Sequence, residues 1–276
     1  MENNSILVTG AAGSIGSELV RQLIKKNEVF CIDNNETALF DLIEELRLKG
    51  FDVEGRVGDI RDDDIWDTFL YRKYPSYIFH TAALKHVTPM EWNPEEAVKT
   101  NVLGTSKVIQ AANFLGSRLI FISTDKAVDP HSVMGMTKRI GEIMVKNAGG
   151  ITVRFANVLG SRGSVIPIWQ KQVEEGRPLS ITHPDMERYF MTIPQAVDLV
   201  ITAAEIGQPK DLIILDMGKP IKILDLAKKI IQESGQDLET KIIGIRPGES
   251  LTEKLMTDEE QKVAIRQDKF FIIRSK

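Results

Sequence analysis

The chain has 276 residues, of which 42% are hydrophobic and 27% are charged, and this is an ordinary globular composition. Its 35 basic and 39 acidic side chains leave a net charge of −4, without a basic block to neutralise nucleic-acid phosphates. The single cysteine, Cys31, excludes internal disulfides and cysteine-rich zinc sites, and the four histidines show no close pairing. We therefore expect neither a nucleic-acid partner nor a bound metal.

The polar start of the chain, Met1–Ser5, does not resemble a secretory signal. No apolar run approaches the roughly 18–20 residues that a bilayer-spanning helix requires. These features predict a soluble cytoplasmic protein that does not bind a membrane.

The first half of the chain alternates short β-branched runs with segments of helical periodicity. Strands that alternate with helices of ordinary length indicate βαβ units, a parallel sheet and helices on both of its faces. The sequence therefore predicts an α/β fold with a doubly wound parallel sheet. The predicted strands are 5–9, 28–32, 52–57, 77–81, 119–123 and 151–155, and the predicted helices are 14–26, 36–48, 95–115 and 133–147.

This alternation changes after about residue 159, where glycines and prolines separate shorter segments. We predict a nucleotide-binding domain over residues 1–160, rejoined by about 193–216, and a smaller lobe from residues 161–192 and 217–276. The recognisable later elements are a helix at 193–206, a strand at 212–215 and an amphipathic helix at 223–233.

A glycine-rich loop, Gly10-Ala-Ala-Gly13-Ser-Ile-Gly16, joins the first predicted strand to the first helix. Such glycines permit a tight turn and bring a pyrophosphate close to the backbone at the helix N-terminus. Asp33 ends the second strand, where a carboxylate accepts hydrogen bonds from a ribose 2′-hydroxyl and repels a 2′-phosphate. No lysine or arginine follows closely, so NAD is predicted rather than NADP. The alternative is a simple turn with a capping carboxylate.

Polar residues follow the fifth predicted strand, in the run Ser123-Thr124-Asp125-Lys126-Ala127. Ligands of open parallel sheets bind beyond the carboxyl ends of the strands, so this run is the candidate catalytic segment. Met134 and Lys138 share one face of the following helix. The alternatives are a solvated Asp–Lys turn pair and a methionine that packs in the core.

Eight segments occur in this order along the chain: TGAAGSIG, TAALKHV, NVLGT, STDKAVDP, VMGMTKR, RFANVLGSRGSVIP, THPDMERYFMT and GIRPGE. Together they resemble the extended short-chain dehydrogenase/reductase family, in its polysaccharide-biosynthesis branch, and most of all the bacterial UDP-N-acetylglucosamine 4,6-dehydratases. The resemblance spans nearly the whole chain. It implies a Rossmann-type NAD-binding domain, a smaller C-terminal substrate-binding lobe and a UDP-sugar substrate. It also implies a homodimer or higher homo-oligomer that pairs through the helices at 95–115 and 133–147.

One departure from the family pattern bears on the reaction. Short-chain dehydrogenases normally carry Tyr-x-x-x-Lys, whereas here Met134 stands in the tyrosine position and Lys138 is kept. Methionine at this position resembles the large membrane-anchored dehydratases, which retain the configuration at C5, while the C5-inverting branch keeps the tyrosine. The chain resembles the catalytic domain of the large enzymes without their membrane segments.

The resemblance implies oxidation of the sugar at C4, loss of water across C5 and C6, and return of hydride to C6. Lys126 is then the C5 base, and Asp125 is the acid for the C6 hydroxyl. Asp125, with Thr124 or a water molecule, also accepts the C4 hydroxyl proton. We expect burial, Lys138 and the oxidised nicotinamide to lower the pKa of Lys126, since a base must be partly neutral.

Further binding residues are assigned from the same motifs. Cations and amides are expected at the UDP pyrophosphate, and Glu249 is expected at the uridine ribose. The predicted cofactor-binding residues are Gly10, Gly13, Ser14, Ile15, Gly16, Asp33, Asp59, Ile60, Ala82, Ala83, Lys85, Asn101 and Lys138. The predicted substrate-binding residues are Lys85, His86, Asn157, Arg188, Arg246 and Glu249. Alternative functions are a C5-inverting 4,6-dehydratase, a 5,6-dehydratase without hydride return, another UDP-sugar dehydratase or a 4-epimerase, and an inactive NAD-binding regulator.

Overall fold

The computed structural model describes residues 1–66 and 73–275 of the chain. The strands in these ranges are β1 (Ser5–Thr9), β2 (Glu28–Asp33), β3 (Glu54–Val57), β4 (Tyr77–His80), β5 (Arg118–Thr124), β6 (Ile151–Phe155), β7 (Asn157–Leu159), β8 (Leu179–Ile181), β9 (Glu187–Arg188), β10 (Phe190–Thr192), β11 (Leu212–Leu215), β12 (Ile221–Lys222), β13 (Thr240–Ile242), β14 (Ile265–Gln267) and β15 (Phe270–Ile273). The helices that matter below are α1 (Ser14–Leu23), α2 (Glu36–Leu48), α3 (Val87–Trp92), α4 (Pro94–Val98), α5 (Thr105–Leu115), α6 (Val133–Asn147), α7 (Val165–Glu174), α8 (Ile193–Ile206), α9 (Ile223–Ser234) and α10 (Asp258–Val263).

Nine of the described strands form one central sheet, in the order β14-β15-β11-β6-β5-β4-β1-β2-β3. The neighbours from β3 to β11 are parallel, whereas β15 pairs antiparallel with both β11 and β14. The chain order reverses between β1 and β4, and ligands of doubly wound sheets bind at such a point. The predicted α/β fold with a doubly wound, mainly parallel sheet is confirmed.

Helices cover both faces of this sheet. Successive side chains of a strand point to opposite faces, so Ile6 and Val8 of β1 join one apolar cluster while Leu7 joins the other. The first cluster includes residues of α1, α2 and α8, and the second includes residues of α5 and α6. This arrangement fixes β1, β4 and β5 in the centre of the molecule, with their carboxyl ends at one edge.

A separate apolar cluster holds the smaller lobe together, and Trp169 of α7 is its largest fully buried member. Its indole Nε1 donates to Ser180 O at 2.8 Å. The division of the chain into two lobes stays a prediction, which this second cluster supports. The helix α7 itself is not among the predicted elements, because Pro167 lies within it; proline is tolerated there because it falls in the first turn. The other buried members of the cluster are Leu179, Ile181, Met186, Ile223 and Ala227.

The long helix predicted over 95–115 is present from Pro94 to Leu115, but it is not α-helical throughout, because a π-helical segment, Lys99–Gly104, lies between α4 and α5. Inside this segment the Asn101 carboxamide accepts from Leu84 N–H and donates to Leu84 O, at 2.8 and 2.9 Å. A Cβ on Gly104 would lie 2.7 Å from Ile60 Cδ1. The π turn therefore accompanies close contacts that hold the loop after β4, as is common near functional sites.

A buried ion network attaches the C-terminal segment to the sheet. Arg154 of β6 is fully buried and bonds Glu142 of α6 and Glu260 of α10, each at 2.7 Å. Arg154 also donates to Leu255 O at 3.0 Å. Residues 250–260 are therefore held beside the carboxyl ends of β5 and β6.

Candidate active site

The glycine-rich loop leads from β1 into α1 as predicted. Gly10 has a φ of +67°, and a Cβ there would lie 2.6 Å from Ala82 N, so only glycine fits. A Cβ on Gly16 would lie 2.1 Å from Gly10 O. Glycine at this position therefore lets the first turn of α1 pack closely against the loop. Gly13 is the N-cap of α1 and has no side chain to occupy the first amides. The first turn of α1 therefore has no side-chain cap, and such a helix N-terminus fits a dinucleotide pyrophosphate.

Asp33 ends β2 beside the same loop. One carboxylate oxygen accepts from Ala12 N and the other from Asn35 N, both at 2.9 Å. These bonds fix the carboxylate next to the glycine-rich loop and leave its remaining lone pairs for hydroxyl donors. The arrangement fits a nucleoside ribose.

The other predicted cofactor residues lie around this loop with more varied partners. The Asp59 carboxylate accepts from Arg61 Nε and Arg61 N, at 2.9 and 3.0 Å. Burial opposes ionisation, but these bonds outweigh it and lower the pKa of Asp59. The Asn101 carboxamide hydrogen-bonds the backbone of Leu84 and Thr137 Oγ1, so this residue holds the loop after β4 in place. The remaining members lie as follows: Ile60 is buried, Ile15 packs against the main core, Ala82 and Ala83 follow β4, and Ser14 Oγ accepts from Arg162 N at 3.0 Å.

The predicted catalytic run begins at the end of β5. Asp125 and Lys126 lie in a 3-10 turn, Asp125–Ala127, whose N-cap is Thr124. The Asp125 side chain is fully buried, and its Oδ1 accepts from Thr124 Oγ1 at 2.8 Å and from Lys126 Nζ at 3.0 Å. Its Oδ2 is buried and has no hydrogen-bond partner within the described ranges. One carboxylate oxygen of Asp125 therefore accepts two hydrogen bonds, and the other is buried without a donor.

Lys126 is the centre of a polar cluster. Its Nζ lies 3.0 Å from Asp125 Oδ1, 2.7 Å from Glu253 Oε2 and 3.4 Å from Asn157 Oδ1. Burial favours the neutral amine, but the two carboxylates outweigh it and raise the pKa of Lys126. The expectation of a lowered pKa is therefore wrong for this arrangement of side chains. Arg188 is the cation that opposes ionisation here, in place of the predicted Lys138.

Glu253 is a functional residue that the sequence analysis missed. Its side chain is only 5% exposed, and it lies between Lys126 Nζ, at 2.7 Å, and Arg188 Nε, at 3.2 Å. Burial and the neighbouring Asp125 raise its pKa to about 7, although Lys126 and Arg188 lower it. A carboxyl group that titrates near neutral pH is suited to proton transfer.

Met134 and Lys138 lie on the buried face of α6. Met134 is 2% exposed and packs with Met90 and Ala97, so its thioether fills an apolar cluster. Lys138 Nζ donates to Ile122 O at 2.6 Å and lies 4.0 Å from the centre of the Phe121 ring. Burial lowers the pKa of Lys138 to about 7. Its predicted contact with the cofactor ribose stays a prediction.

Two of the predicted substrate residues already have protein partners. Arg188 donates to Leu251 O and Ser250 O, at 3.0 and 2.7 Å, besides its contact with Glu253. Its guanidinium therefore anchors the loop around residue 251, so the predicted pyrophosphate contact would have to share it. Asn157 donates to Tyr189 O at 3.2 Å and accepts from Lys126.

The other predicted substrate residues, Lys85, His86, Arg246 and Glu249, contact neighbouring loops and α3. Lys85 Nζ lies 3.4 Å from Ser161 Oγ, and burial lowers its pKa. The His86 ring packs against Gly163, where a Cβ would lie 2.5 Å from it. Arg246 and Glu249 form a turn in which Arg246 N donates to the Glu249 carboxylate at 3.1 Å. This turn lies against α3, since a Cβ on Gly248 would approach Val87 and Glu91 within 2.9 Å.

The described residues contain no group of three or more histidine, cysteine, aspartate or glutamate side chains arranged to hold a metal ion. No helix within residues 1–66 and 73–275 combines the length and apolarity needed to cross a bilayer.

A glycine-rich loop at the sheet's reversal point, with the candidate catalytic run at the end of β5, is typical of a Rossmann-type protein of the extended short-chain dehydrogenase/reductase class. The family model described as polysaccharide biosynthesis protein matches residues 6–275, and the chain belongs to this family. The resemblance found in the sequence is therefore confirmed at the level of the family.

Two relatives show the range of proteins that this chain resembles. It is 44% identical over 275 residues to the probable polysaccharide biosynthesis protein EpsC of Bacillus subtilis, covering 94% of this chain and 46% of EpsC. The chain thus spans about half the length of that relative. It is 33% identical over 279 residues to the UDP-glucose 4-epimerase of Rickettsia prowazekii, covering 95% of this chain and 80% of the epimerase.

Among solved structures, the chain is similar to Pen from Bacillus thuringiensis, with a TM-score of 0.94 and 35% identity. The match covers 99% of this chain and 90% of Pen. Structures below 25% identity that share the fold include UDP-sugar epimerases solved as complexes with NAD.

Proposed function

We propose that the protein is an NAD-dependent UDP-N-acetylglucosamine 4,6-dehydratase, a hydro-lyase that retains the configuration at C5. The product is the UDP-linked 2-acetamido-2,6-dideoxy-4-keto sugar. One observation carries this proposal: the buried Asp125 and the partly exposed Lys126 form an adjacent acid–base pair at the end of β5, in a chain that has a methionine in the tyrosine position. Water elimination needs such a pair of proton-transfer groups.

The cofactor NAD is supported by the glycine cradle, by Asp33 and by the complexes of proteins that share the fold. When bound, NAD takes up hydride from C4 and returns it to C6. The chain itself binds and orients the dinucleotide through the amides after Gly13 and through Asp33. Its side chains hold and move the protons.

Each proton step is assigned to a group at the end of β5. Lys126, as the neutral amine, removes the C5 proton, which the C4 ketone acidifies. Asp125 protonates the departing C6 hydroxyl. Asp125 also receives the C4 hydroxyl proton, and Thr124, which donates to Oδ1 at 2.8 Å, fixes the carboxylate for both steps.

A 4-epimerase is the main alternative, since one relative is named as such. Epimerisation needs no elimination pair and normally uses the tyrosine of the family. Here Met134 cannot exchange a proton, and it is taken up in an apolar cluster with Met90 and Ala97. This contrast favours the dehydratase over the epimerase.

The reaction should be run with UDP-N-acetylglucosamine and NAD in D₂O and followed by NMR. If Lys126 both removes and returns the C5 proton, C5 acquires deuterium and keeps the D-sugar coupling pattern. A product of L configuration would assign the chain to the inverting branch, and a 5,6-ene product would mean that hydride does not return to C6. A 4-epimer that keeps its C6 hydroxyl would contradict the dehydratase, and an inert protein that binds NAD would point to a regulator.

We expect NAD to bind more tightly than NADP, because the fixed Asp33 carboxylate repels a 2′-phosphate. Asp33→Ala should reduce the difference in affinity between NAD and NADP. The variant loses the hydrogen bonds to the NAD ribose and no longer repels the 2′-phosphate of NADP. Titration calorimetry with both dinucleotides checks this, with the exposed Asp41→Ala as control. Equal or tighter NADP binding by the wild type would contradict the cofactor assignment.

Self-association and a cytoplasmic location stay predictions. Within the helix predicted at 95–115, Val108 and Ala112 are buried against the protein's own sheet and cannot contribute to a subunit contact. Other apolar side chains of the helical segments 94–115 and 133–147 support a homo-oligomer, because they are 42–55% exposed: Val98, Leu103, Met136, Ile140 and Ile143.

A further inference from the structure

The side chains around Lys126 provide a hydrogen-bond acceptor for each proton of its ammonium group. Its three N–H donors face three acceptors, on Asp125, Glu253 and Asn157, at 3.0, 2.7 and 3.4 Å. An ammonium group has no lone pair and cannot act as a base. Lys126 must therefore pass one proton to a neighbour before it can remove a proton from C5.

Two carboxylates are close enough to receive that proton, and they differ. Asp125 Oδ1 already accepts from Thr124 Oγ1, and its carboxyl pKa is lowered despite burial. Glu253 is nearer, at 2.7 Å, and burial raises its pKa to about 7. Glu253 is thus the more basic of the two and the better placed.

The surroundings of Glu253 also suit a carboxyl group that changes its charge. Its other oxygen lies 3.2 Å from Arg188 Nε, which fixes its orientation. Once protonated, Glu253 becomes a hydrogen-bond donor to Asp125, whose Oδ2 otherwise has no partner in the described ranges. The charged groups that face it are Lys126 and Asp125 from the turn after β5, and Arg188 from β9.

We propose that Glu253 takes a proton from Lys126 and so frees the amine that acts as the C5 base, an inference that rests on the proposed dehydratase function. An N–H bond of Lys126 breaks and an O–H bond of Glu253 forms, which leaves a neutral amine and a neutral acid. The amine then takes the C5 proton and later returns it, and the proton on Glu253 passes back to Lys126. Because Glu253 acts through Lys126, it is a positioning residue.

Three variants test this role: Glu253→Gln, which keeps the shape without the proton acceptor, Glu253→Asp, which restores a carboxylate, and the exposed Glu259→Gln as control. We expect Glu253→Gln to lower kcat by about 10²-fold with little change in KM. Glu253→Asp should recover part of this loss, and Glu259→Gln should match the wild type. The wild-type kcat should fall as the pH drops below about 7, since protonated Glu253 cannot accept a proton from Lys126. In Glu253→Gln the kcat should not show this decrease at acidic pH.

A second readout does not depend on turnover. Acetic anhydride labelling of Lys126, quantified by mass spectrometry across pH, reports the charge of its amine in the resting protein. Loss of the Glu253 anion should lower the pH at which Lys126 becomes reactive, while the exposed Lys254 keeps its profile. An unchanged Lys126 profile in Glu253→Gln would overturn the proposal.

The outcomes separate this inference from the proposed function. Wild-type protein that leaves UDP-N-acetylglucosamine unchanged would refute the dehydratase, and the labelling experiment would still decide whether Glu253 controls the charge of Lys126. If Glu253→Gln turned over normally and its kcat still fell at acidic pH, only the role of Glu253 would be overturned, and the proposed function would stand. If Glu253→Gln and Glu253→Asp lost the same fraction of kcat and both had a lowered Tm, Glu253 would be a structural residue. That result would also overturn the proposed role of Glu253.

Discussion

Replacing Lys126 with alanine should lower the kcat for UDP-N-acetylglucosamine by about 10²–10⁴-fold, which is the usual value of a general base. The variant has no amine within reach of C5, while the glycine-rich loop and Asp33, which bind NAD in the proposal, are untouched. Product NMR measures the turnover, and calorimetry checks that NAD binding is unchanged. The exposed Lys254→Ala serves as control, because its pairs with Asp129 and Asp258 are long, at 3.7 and 3.6 Å.

A second variant distinguishes the loss of the base from a loss of folding. Alanine at position 126 would leave Asp125 and Glu253 as neighbouring buried carboxylates without their shared cation. Lys126→Arg keeps a positive charge, but a guanidinium does not deprotonate near neutral pH. It should therefore remain folded by thermal melting and be as inactive as Lys126→Ala. Near-normal turnover in both variants would refute the assignment of Lys126 as the base.

The position of Met134 gives this acid–base cluster a physical rationale. Where relatives of the class carry tyrosine, this chain has a thioether that packs with Met90 and Ala97. No proton can be exchanged there, so the proton steps fall to the groups at the end of β5. The buried carboxyl groups of Asp125 and Glu253 and the amine of Lys126 between them supply two acids and a base in mutual contact.

Local sequence patterns were sufficient for most of the fold. The helix predicted at 133–147 matches α6 at both ends, because Ser132 caps it and its apolar residues recur at helical spacing. The glycine-rich loop and the catalytic run were found because each joins a strand to a helix in a recognisable order. Features that depend on neighbouring residues in the chain are the ones that sequence reasoning captures.

Apart from α7, which Pro167 concealed, the main features that sequence reasoning missed arise from contacts between residues far apart in the sequence. Glu253 meets Lys126 across 127 positions of sequence, and it lies in a segment without periodicity. The π turn at Lys99–Gly104 depends on how Asn101 reaches Leu84. Similarly, the carbonyl groups that engage Arg188 belong to residues 250 and 251, which only the folded chain brings near. The nearest sequence signal was the GIRPGE motif, which ends four residues before Glu253.

The buried ion network that holds this C-terminal segment in place should be sensitive to the loss of its cation. Arg154 is fully buried and bonds Glu142 and Glu260, each at 2.7 Å. Removing one partner of a buried pair leaves an uncompensated charge and typically costs about 3–5 kcal/mol. Here two carboxylates would lose their common partner, although Arg139, at 2.8 and 3.3 Å, would still contact both.

Arg154→Met should therefore lower the free energy of unfolding by about 3–5 kcal/mol, measured by urea denaturation at pH 7. The exposed Arg266→Met, which breaks a single bond to Asp216, should cost at most about 1 kcal/mol. Burial opposes the ionisation of Glu260, but Arg154 outweighs it and lowers the pKa of Glu260. The pair thus stabilises the fold above the unfolded-state pKa of a glutamate, and this contribution is lost as the pH falls through the lowered pKa. The stability gap between wild type and Arg154→Met should accordingly shrink in acid, and a gap that stays constant down to the lowest pH at which both proteins fold would contradict this account.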